Sequence, residues 1–360
     1  MPNPVDIHSN GPDVVGAAFA NQVAYCLNNG APITARVVAA VAAVLDSGAS
    51  GDFLDKIRDW QGAPIADALA LRAAGGLHAL HLAGTALQLA PIYAGESDVD
   101  DAAIIGDVIT QHETALLPWL GGPPQTNEAG RSSNYIAAML WLTEQGLAPH
   151  FDCIEIGSSA GINLMIDRYH YDLGGVQVGP ADAVMCFAPE WRGPPPPNRT
   201  FTFAGLRGSD IAPVDLTDPA QALRLRAYIW PEHHVRFARM DTAIALAGEQ
   251  KPDLVAMNAA DFVETQLVMP QVSGTTRVLM HSIVWQYVPA DQRARVSAAM
   301  ESAGARATAD RPLAWVALEA NRTVHHHELV ARYWNGRDGD GASHVLAHAH
   351  AHGAWVEWLV

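Results

Sequence analysis

Positive charge is scarce in this chain of 360 residues: 22 Lys and Arg face 38 Asp and Glu, for a formal net charge of -16 at pH 7. A nucleic-acid binder carries a basic stripe that neutralises phosphates and releases counterions, and the lack of one excludes DNA and RNA as expected partners. Cysteine is rare as well. Cys26, Cys153 and Cys186 are odd in number, far apart and without paired ligand spacing, which argues for reduced, packed thiols and against a disulfide framework or zinc knuckle. Long apolar runs are missing too. A membrane span needs about 20 consecutive apolar residues, and the purest run, residues 37–45, is less than half that. The first ten residues hold no Lys or Arg and include Asp6, unlike a signal peptide, so a cytoplasmic location is expected.

What is present is enough apolar material for two domains, at 49% hydrophobic content. Up to about residue 120 apolar positions recur at three and four, the helix period. Residues 13–29, with Asp13 as cap and Gly30 as stop, then 32–45 behind Pro32, a short helix from Asp52, one or two helices over 64–89, and 98–117 follow one another with no strand required. Gly121-Gly122-Pro123-Pro124 breaks this pattern, so the sequence predicts an all-α cap or lid domain over 1–122 and a second domain over 123–360. After a helix over 127–145, short apolar runs at 151–156, 184–188, 202–206, 254–257, 278–283 and 313–318 alternate with helical stretches. That alternation predicts an α/β domain with an open, mostly parallel, doubly wound sheet. Residues 328–360, with 335–341 as turn, read as an antiparallel hairpin closing one edge.

One stretch carries the chemistry. Residues 152–164, from Asp152 to Leu164, read as a buried strand, a tight turn of small residues and a helix running to about Tyr169. Gly157 and Gly161 free the backbone N–H groups of the turn for a ligand, with Ser158, Ser159 and Asn163 beside them. Glu155, inside an apolar strand, is costly to bury unless it meets a cation or several donors. Downstream, Asp210 ends a second strand, and Asp261 with Phe262 follows a third, offering an acceptor for ribose hydroxyls and an edge and face for adenine. The plain alternative is a strand-to-helix turn with a structural Glu.

This succession resembles the class I S-adenosylmethionine-dependent methyltransferases, whose first strand ends in an acid-x-Gly-x-Gly-x-Gly pattern; Ser159 stands here for the middle glycine. More closely, the chain is similar to the uncharacterised bacterial domain-of-unknown-function family 2332. The likeness rests on Gln125 to Arg131, Glu155 to Gly161 with Asp167-Arg168-Tyr169, Arg207 to Asp215, Ile229-Trp230-Pro231-Glu232, His281-Ser282 and Trp315 to Glu319. It implies a Rossmann-like, methyltransferase-type fold but no established reaction. The expected cofactor is S-adenosylmethionine, and the expected activity is methyl transfer to an unidentified small molecule. Glu155, Gly157, Ser158, Ser159, Gly161, Asn163, Asp210, Asp261 and Phe262 are the cofactor candidates. Arg131, Asn127 and Trp285 are substrate candidates, and His281 or Tyr287 a catalytic group near the acceptor atom.

Competing readings stand beside each of these. Gly157-Ser158-Ser159-Ala160-Gly161 also spells the G-x-S-x-G elbow of α/β-hydrolases, with Ser159 as nucleophile and Asp261 with His281 or His327 in the right order. Glu155 tips the balance, since an elbow has no use for an acid there. A non-catalytic S-adenosylmethionine-binding or interaction protein is the other alternative. Arg131 serves equally as an interdomain ion pair, and His281, Trp285 and Tyr287 as core packing. His325-His326-His327-Glu328 and His344, His348, His350 and His352, the last four on one face of a strand, suggest a metal. An Ala/His alternation is equally the wet face of an edge strand, and no metal is expected.

Overall fold

The computed structural model describes residues 12–321, 326–337 and 341–360. Helices come first: α1 (Pro12–Asn28), α2 (Pro32–Asp46), α3 (Asp52–Arg58), α4 (Leu69–Leu82), α5 (Ala90–Tyr93) and α6 (Asp101–Leu116). Next, α7 (Ser132–Glu144) leads into β1 (His150–Ile156). Short strands β2 (His170–Leu173), β3 (Val176–Val178), β4 (Cys186–Phe187) and β5 (Glu190–Arg192) precede β6 (Thr202–Asp210), α8 (Pro219–Ala227) and α9 (His234–Glu249). The chain continues through β7 (Asp253–Ala256), α10 (Ala259–Val268), β8 (Thr276–Ser282), α11 (Ala290–Gly304) and β9 (Leu313–Asn321). It ends with β10 (His326–Trp334), β11 (His344–Ala349) and β12 (Trp355–Trp358). No strand occurs before residue 150 among the described residues.

Two compact units result, Met1–Thr126 with Asp218–Ala238, and Asn127–Thr217 with Arg239–Val360. The sequence places its boundary at 122/123, close to the first crossing, but gives no sign that 218–238 joins the helical unit. Its physical cause is long-range. Ala31 at the N-cap gives α2 no side-chain cap of its own, and the Glu232 carboxylate supplies one, accepting from the Thr34 N–H at 3.0 Å and the Thr34 hydroxyl at 3.0 Å. The His78 ring meets the Ala227 carbonyl at 3.0 Å. The core of this unit is apolar, built on Phe19, Val38, Val41, Phe53, Leu69, Leu77 and Ile105. Arg36 and Asp101 tie α2 to α6 with two hydrogen bonds of 2.9 and 2.7 Å. The Asp13 side chain, expected to cap α1, lies outside the described residues.

Among the described residues the second unit holds a nine-stranded, mostly parallel sheet in the order β5-β12-β11-β10-β9-β8-β1-β6-β7. The five strands from β7 to β9 pair in parallel, β9 to β12 pair antiparallel, and β5 joins β12 in parallel. Every residue from Cys153 to Ile156 is buried, as a strand covered on both faces requires. Ile154 and Ile156 pack with Phe262, Leu279, Val296, Met300 and Trp315 beneath α10 and α11. Alternation turns Glu155 to the opposite face, where Tyr135 of α7 is its neighbour.

Four expectations need correction. Residues 184–188 give only the two-residue β4, in a separate small sheet ordered β3-β2-β4. The closing hairpin is the first half of a three-strand meander, β10-β11-β12, and β5 rather than the chain end forms that edge of the sheet. The helix after the Gly157 turn is a 3-10 turn, Ile162–Arg168, started by Gly161 in the left-handed region. The histidines, too, fail to share a face. Leu329 pairs with Ala347 but Val330 with Val345, so a bulge at Leu346 reverses the alternation. His344 stacks on Tyr333 and lies 5.1 Å from the Trp141 ring of α7, whereas His348 sits 3.8 Å from Glu328 and 3.4 Å from Glu357. Among the described residues no group of three His, Cys, Asp or Glu side chains is arranged to hold a metal; His325 lies outside them. No helix among them is long and apolar enough to cross a membrane.

Candidate functional site

Strand order reverses at β1, whose neighbours β6 and β8 both come later in the chain, and the carboxyl end of β1 carries a cluster of buried polar groups. Glu155 is 1% exposed. Its Oε1 accepts from Asn163 Nδ2 at 2.8 Å, while Oε2 is buried without a hydrogen bond. Burial pushes its carboxyl pKa up to about 7, against the downward pull of Asn163, Ser158, Arg131 and Tyr135. Further buried atoms without partners gather on the same elements: Asn163 Oδ1, Ser159 Oγ and Ser209 Oγ around the turn, and Ser133 Oγ, Asn134 Oδ1 and Tyr135 Oη on the first turn of α7. Native interiors leave few such atoms, so this concentration marks a place where polar groups of a ligand or water belong.

Backbone geometry explains how the turn is held. Gly157, Ser159 and Gly161 all have positive φ, at +66°, +53° and +71°. A Cβ on Gly157 would stand 2.2 Å from Val284 Cγ2, and one on Gly161 2.7 Å from Pro252 Cβ. These glycines therefore serve left-handed backbone and close packing, and the space above them is filled by protein. Gly157→Ala is expected to cost about 3 kcal/mol, the sum of a left-handed alanine and an overpacked contact, read as a lowered unfolding midpoint in urea. Asp210 pins the turn from β6: Oδ2 accepts the Ser159 N–H at 2.9 Å and Oδ1 the Ala212 N–H at 2.9 Å. Asn127 Nδ2 donates to the Ser158 carbonyl at 2.7 Å, and Ser158 Oγ to the Glu155 carbonyl at 3.2 Å. Arg131 donates through Nε to the Ala351 carbonyl at 2.9 Å, and its charge reaches both Glu155 and His327.

Other candidates lie apart. Phe262 is fully buried in the core under Ile154 and Ile156, on the face opposite Glu155. Asp261 sits in the first turn of α10 and is half-exposed, its Oδ1 accepting from Arg295 at 2.7 Å and its Oδ2 from Asn258 at 2.6 Å. Both groups hold its carboxyl below the usual range. His281 shares Phe262's face, by alternation with the buried Leu279. Its Nδ1 meets Glu319 Oε1 at 2.7 Å and its Nε2 accepts from the Trp315 indole N–H at 2.9 Å. Both ring nitrogens are thus engaged, with Trp285 stacked on the ring at 5.0 Å. Glu319 Oε1 also accepts the Val284 and Trp285 N–H groups, at 3.1 and 3.2 Å, so the histidine belongs to a framework that shapes the loop after β8. Tyr287 points outward, 70% exposed. Ser159 Oγ has no histidine in hydrogen-bond reach.

Sequence reading missed Ser133, Asn134 and Tyr135, which look like the ordinary polar start of a helix, and Glu319, whose role depends on a partner 38 positions away.

The chain matches the model of the family described as "Uncharacterized protein conserved in bacteria (DUF2332)" over residues 16–358. No curated protein and no solved structure matches. With almost its whole length covered, the chain belongs to this uncharacterised bacterial family, DUF2332.

Proposed function

We propose that the second unit is a Rossmann-like, methyltransferase-type domain that binds S-adenosylmethionine at the carboxyl end of β1 and transfers its methyl group to a small molecule. The observation that carries this reading is the buried, half-satisfied Glu155 at the point of strand-order reversal. Within the parallel portion, the order β7-β6-β1-β8-β9 is third, second, first, fourth, fifth along the chain, and doubly wound sheets of that order take ligands in the crevice beside the first strand.

The residues fit a cationic, hydroxyl-rich nucleoside in part. Glu155 Oε2, Asn163 Oδ1 and Ser159 Oγ provide acceptors, and each Asp210 oxygen keeps a lone pair beyond the backbone N–H it already binds. Val284 and Pro252 fill the space over Gly157 and Gly161, so the cradle is made of these side chains and not of bare backbone. Bound there, the cofactor would supply an activated methyl group. The chain's own contribution is placement: Asp210 and Asn127 hold the turn in one conformation, and the Tyr135 hydroxyl and the Arg131 charge act on the Glu155 carboxyl. With both His281 nitrogens engaged, rate enhancement rests on proximity rather than on a positioned base.

A hydrolase finds no base beside Ser159. A binding-only role remains the second reading, and the engaged His281 favours it. Calorimetric titration of the full chain with S-adenosylmethionine and S-adenosylhomocysteine separates these outcomes. Saturable binding of both is expected, weakened about tenfold or more by Glu155→Ala and by Asp210→Ala, as loss of a charged hydrogen-bond partner implies. Failure of both ligands to bind removes the proposal; binding with no turnover on any small-molecule panel selects the sensor.

A further inference from the structure

The helical unit contains a second polar cluster, independent of the sheet. Arg72 of α4 is 7% exposed and Tyr228, just after α8, is 6% exposed. Gly75 and Gly76, one turn beyond Arg72, let rings lie directly on α4: a Cβ on Gly75 would stand 2.6 Å from the Tyr228 ring, and one on Gly76 3.0 Å from Trp119. The Trp119 and Tyr228 rings meet edge to face at 5.4 Å. Arg224 of α8 spans them, its guanidinium carbon 5.0 Å from the Trp119 centroid and 5.9 Å from that of Tyr228.

Two guanidiniums therefore share one neighbourhood, and neither forms an ion pair among the described residues. Arg72 gives Nε to the Asp67 carbonyl at 2.7 Å and Nη1 to the Leu120 carbonyl at 2.9 Å, and its face lies 5.1 Å from the Trp60 ring. Arg224 makes no hydrogen bond and no ion pair among the described residues, and stacking on rings leaves its in-plane N–H donors unspent. Asp67, whose charge reaches Arg72, commits its Oδ2 to the Trp60 indole at 2.8 Å. In a chain with 38 acidic residues, a carboxylate in direct contact is the cheapest partner to supply, and among the described residues neither guanidinium has one. Between these cations, the Tyr228 hydroxyl is buried with no hydrogen-bond partner, although it feels both charges.

We propose that Arg72, Arg224 and Tyr228 form a binding niche for a small oxyanion, the carboxylate or phosphate group of a metabolite, walled by Trp119. Arg72 is the fixed donor, held by two backbone carbonyls; Arg224, part-exposed, gives the route from solvent and closes on the ligand; the Tyr228 hydroxyl donates the third hydrogen bond. This inference does not depend on the proposed function of the sheet.

Isothermal titration of the full chain, in a chloride buffer of low ionic strength, uses inorganic phosphate and benzoate as probes. Saturable binding of at least one is expected, and the preferred probe tells a phosphate niche from a carboxylate niche. Arg224→Gln is expected to weaken it about tenfold or more and Tyr228→Phe about threefold or more, as charged and neutral hydrogen bonds imply. Arg58→Gln, a surface site paired with Asp55, should bind as the native chain does. Arg224 has no structural partner besides the rings, so its variant folds even if an Arg72 variant does not. No saturation by either probe at about 10 mM, or equal binding by native and Arg224→Gln, overturns the proposal.

Discussion

Glu155→Gln is expected to stabilise the ligand-free protein at pH 8 by about 3 kcal/mol relative to the native chain, and to leave stability unchanged near pH 4. The sign follows from the direction of the shift. Unfolded, the carboxyl titrates near its ordinary 4.5; folded, burial raises it to about 7. Between those values the native state holds a proton that the unfolded state has released. Native stability therefore falls as pH rises from about 4.5 to about 7 and levels off above. Glutamine keeps the Oε1 that accepts from Asn163 and cannot ionise, so its unfolding free energy loses this dependence. Urea unfolding at pH 4, 6 and 8 reads the difference directly. A native chain no less stable than the variant at pH 8 would mean that Arg131 or Tyr135 compensates the buried charge in full, and that no ligand is required to do so.

On the proposed function, the same carboxyl would link stability to ligand binding. A cationic ligand at Oε2 favours the ionised form, so affinity should rise as pH passes upward through about 7 in the native chain and stay flat in Glu155→Gln. A buried acid that is unfavourable alone and favourable with its ligand is the behaviour of a binding site.

The parallel core was legible because its strands are short local runs that end in a glycine turn or a polar residue: Ile154 to Gly157, Ser209-Asp210, Val255 to Asn258 and Met280 to Ser282 say so within a few residues. Glu155 itself stood out because its neighbours are apolar. The remainder depends on contacts the sequence does not place. Strands of two to four residues such as β4 and β2 carry too little periodicity to be read. A single extra residue at Leu346 reverses every side chain before it and dispersed the histidines that looked aligned. Glu232 caps α2 across 198 positions to Thr34, which is why 218–238 joined the helical unit unannounced. Polar residues at the start of α7 became site candidates only once packing had buried them.

Phe262→Ala is expected to cost about 3–5 kcal/mol, a core phenylalanine deletion, and to lower the melting temperature by about 10 °C. Adjacent to Asp261 beyond β7, this ring was the natural partner for an adenine face. It is instead fully buried with Ile154, Ile156, Val263 and Met300, on the side of the sheet that Glu155 does not face. Thermal unfolding and nucleoside titration of the same variant divide the two roles. A core ring gives a large loss of stability, with affinity in the folded population changed less than about twofold, since only the competent fraction is reduced. A stacking ring gives the reverse, a melting point near native and a loss of about tenfold or more in affinity, as base–aromatic stacking implies. Asp261→Asn completes the comparison: its carboxylate is half-exposed and serves Arg295 at the surface, so the melting point should stay close to native. If Phe262→Ala instead spares stability and abolishes nucleoside binding, the ligand lies on the α10 face of the sheet, and Glu155 is not its anchor.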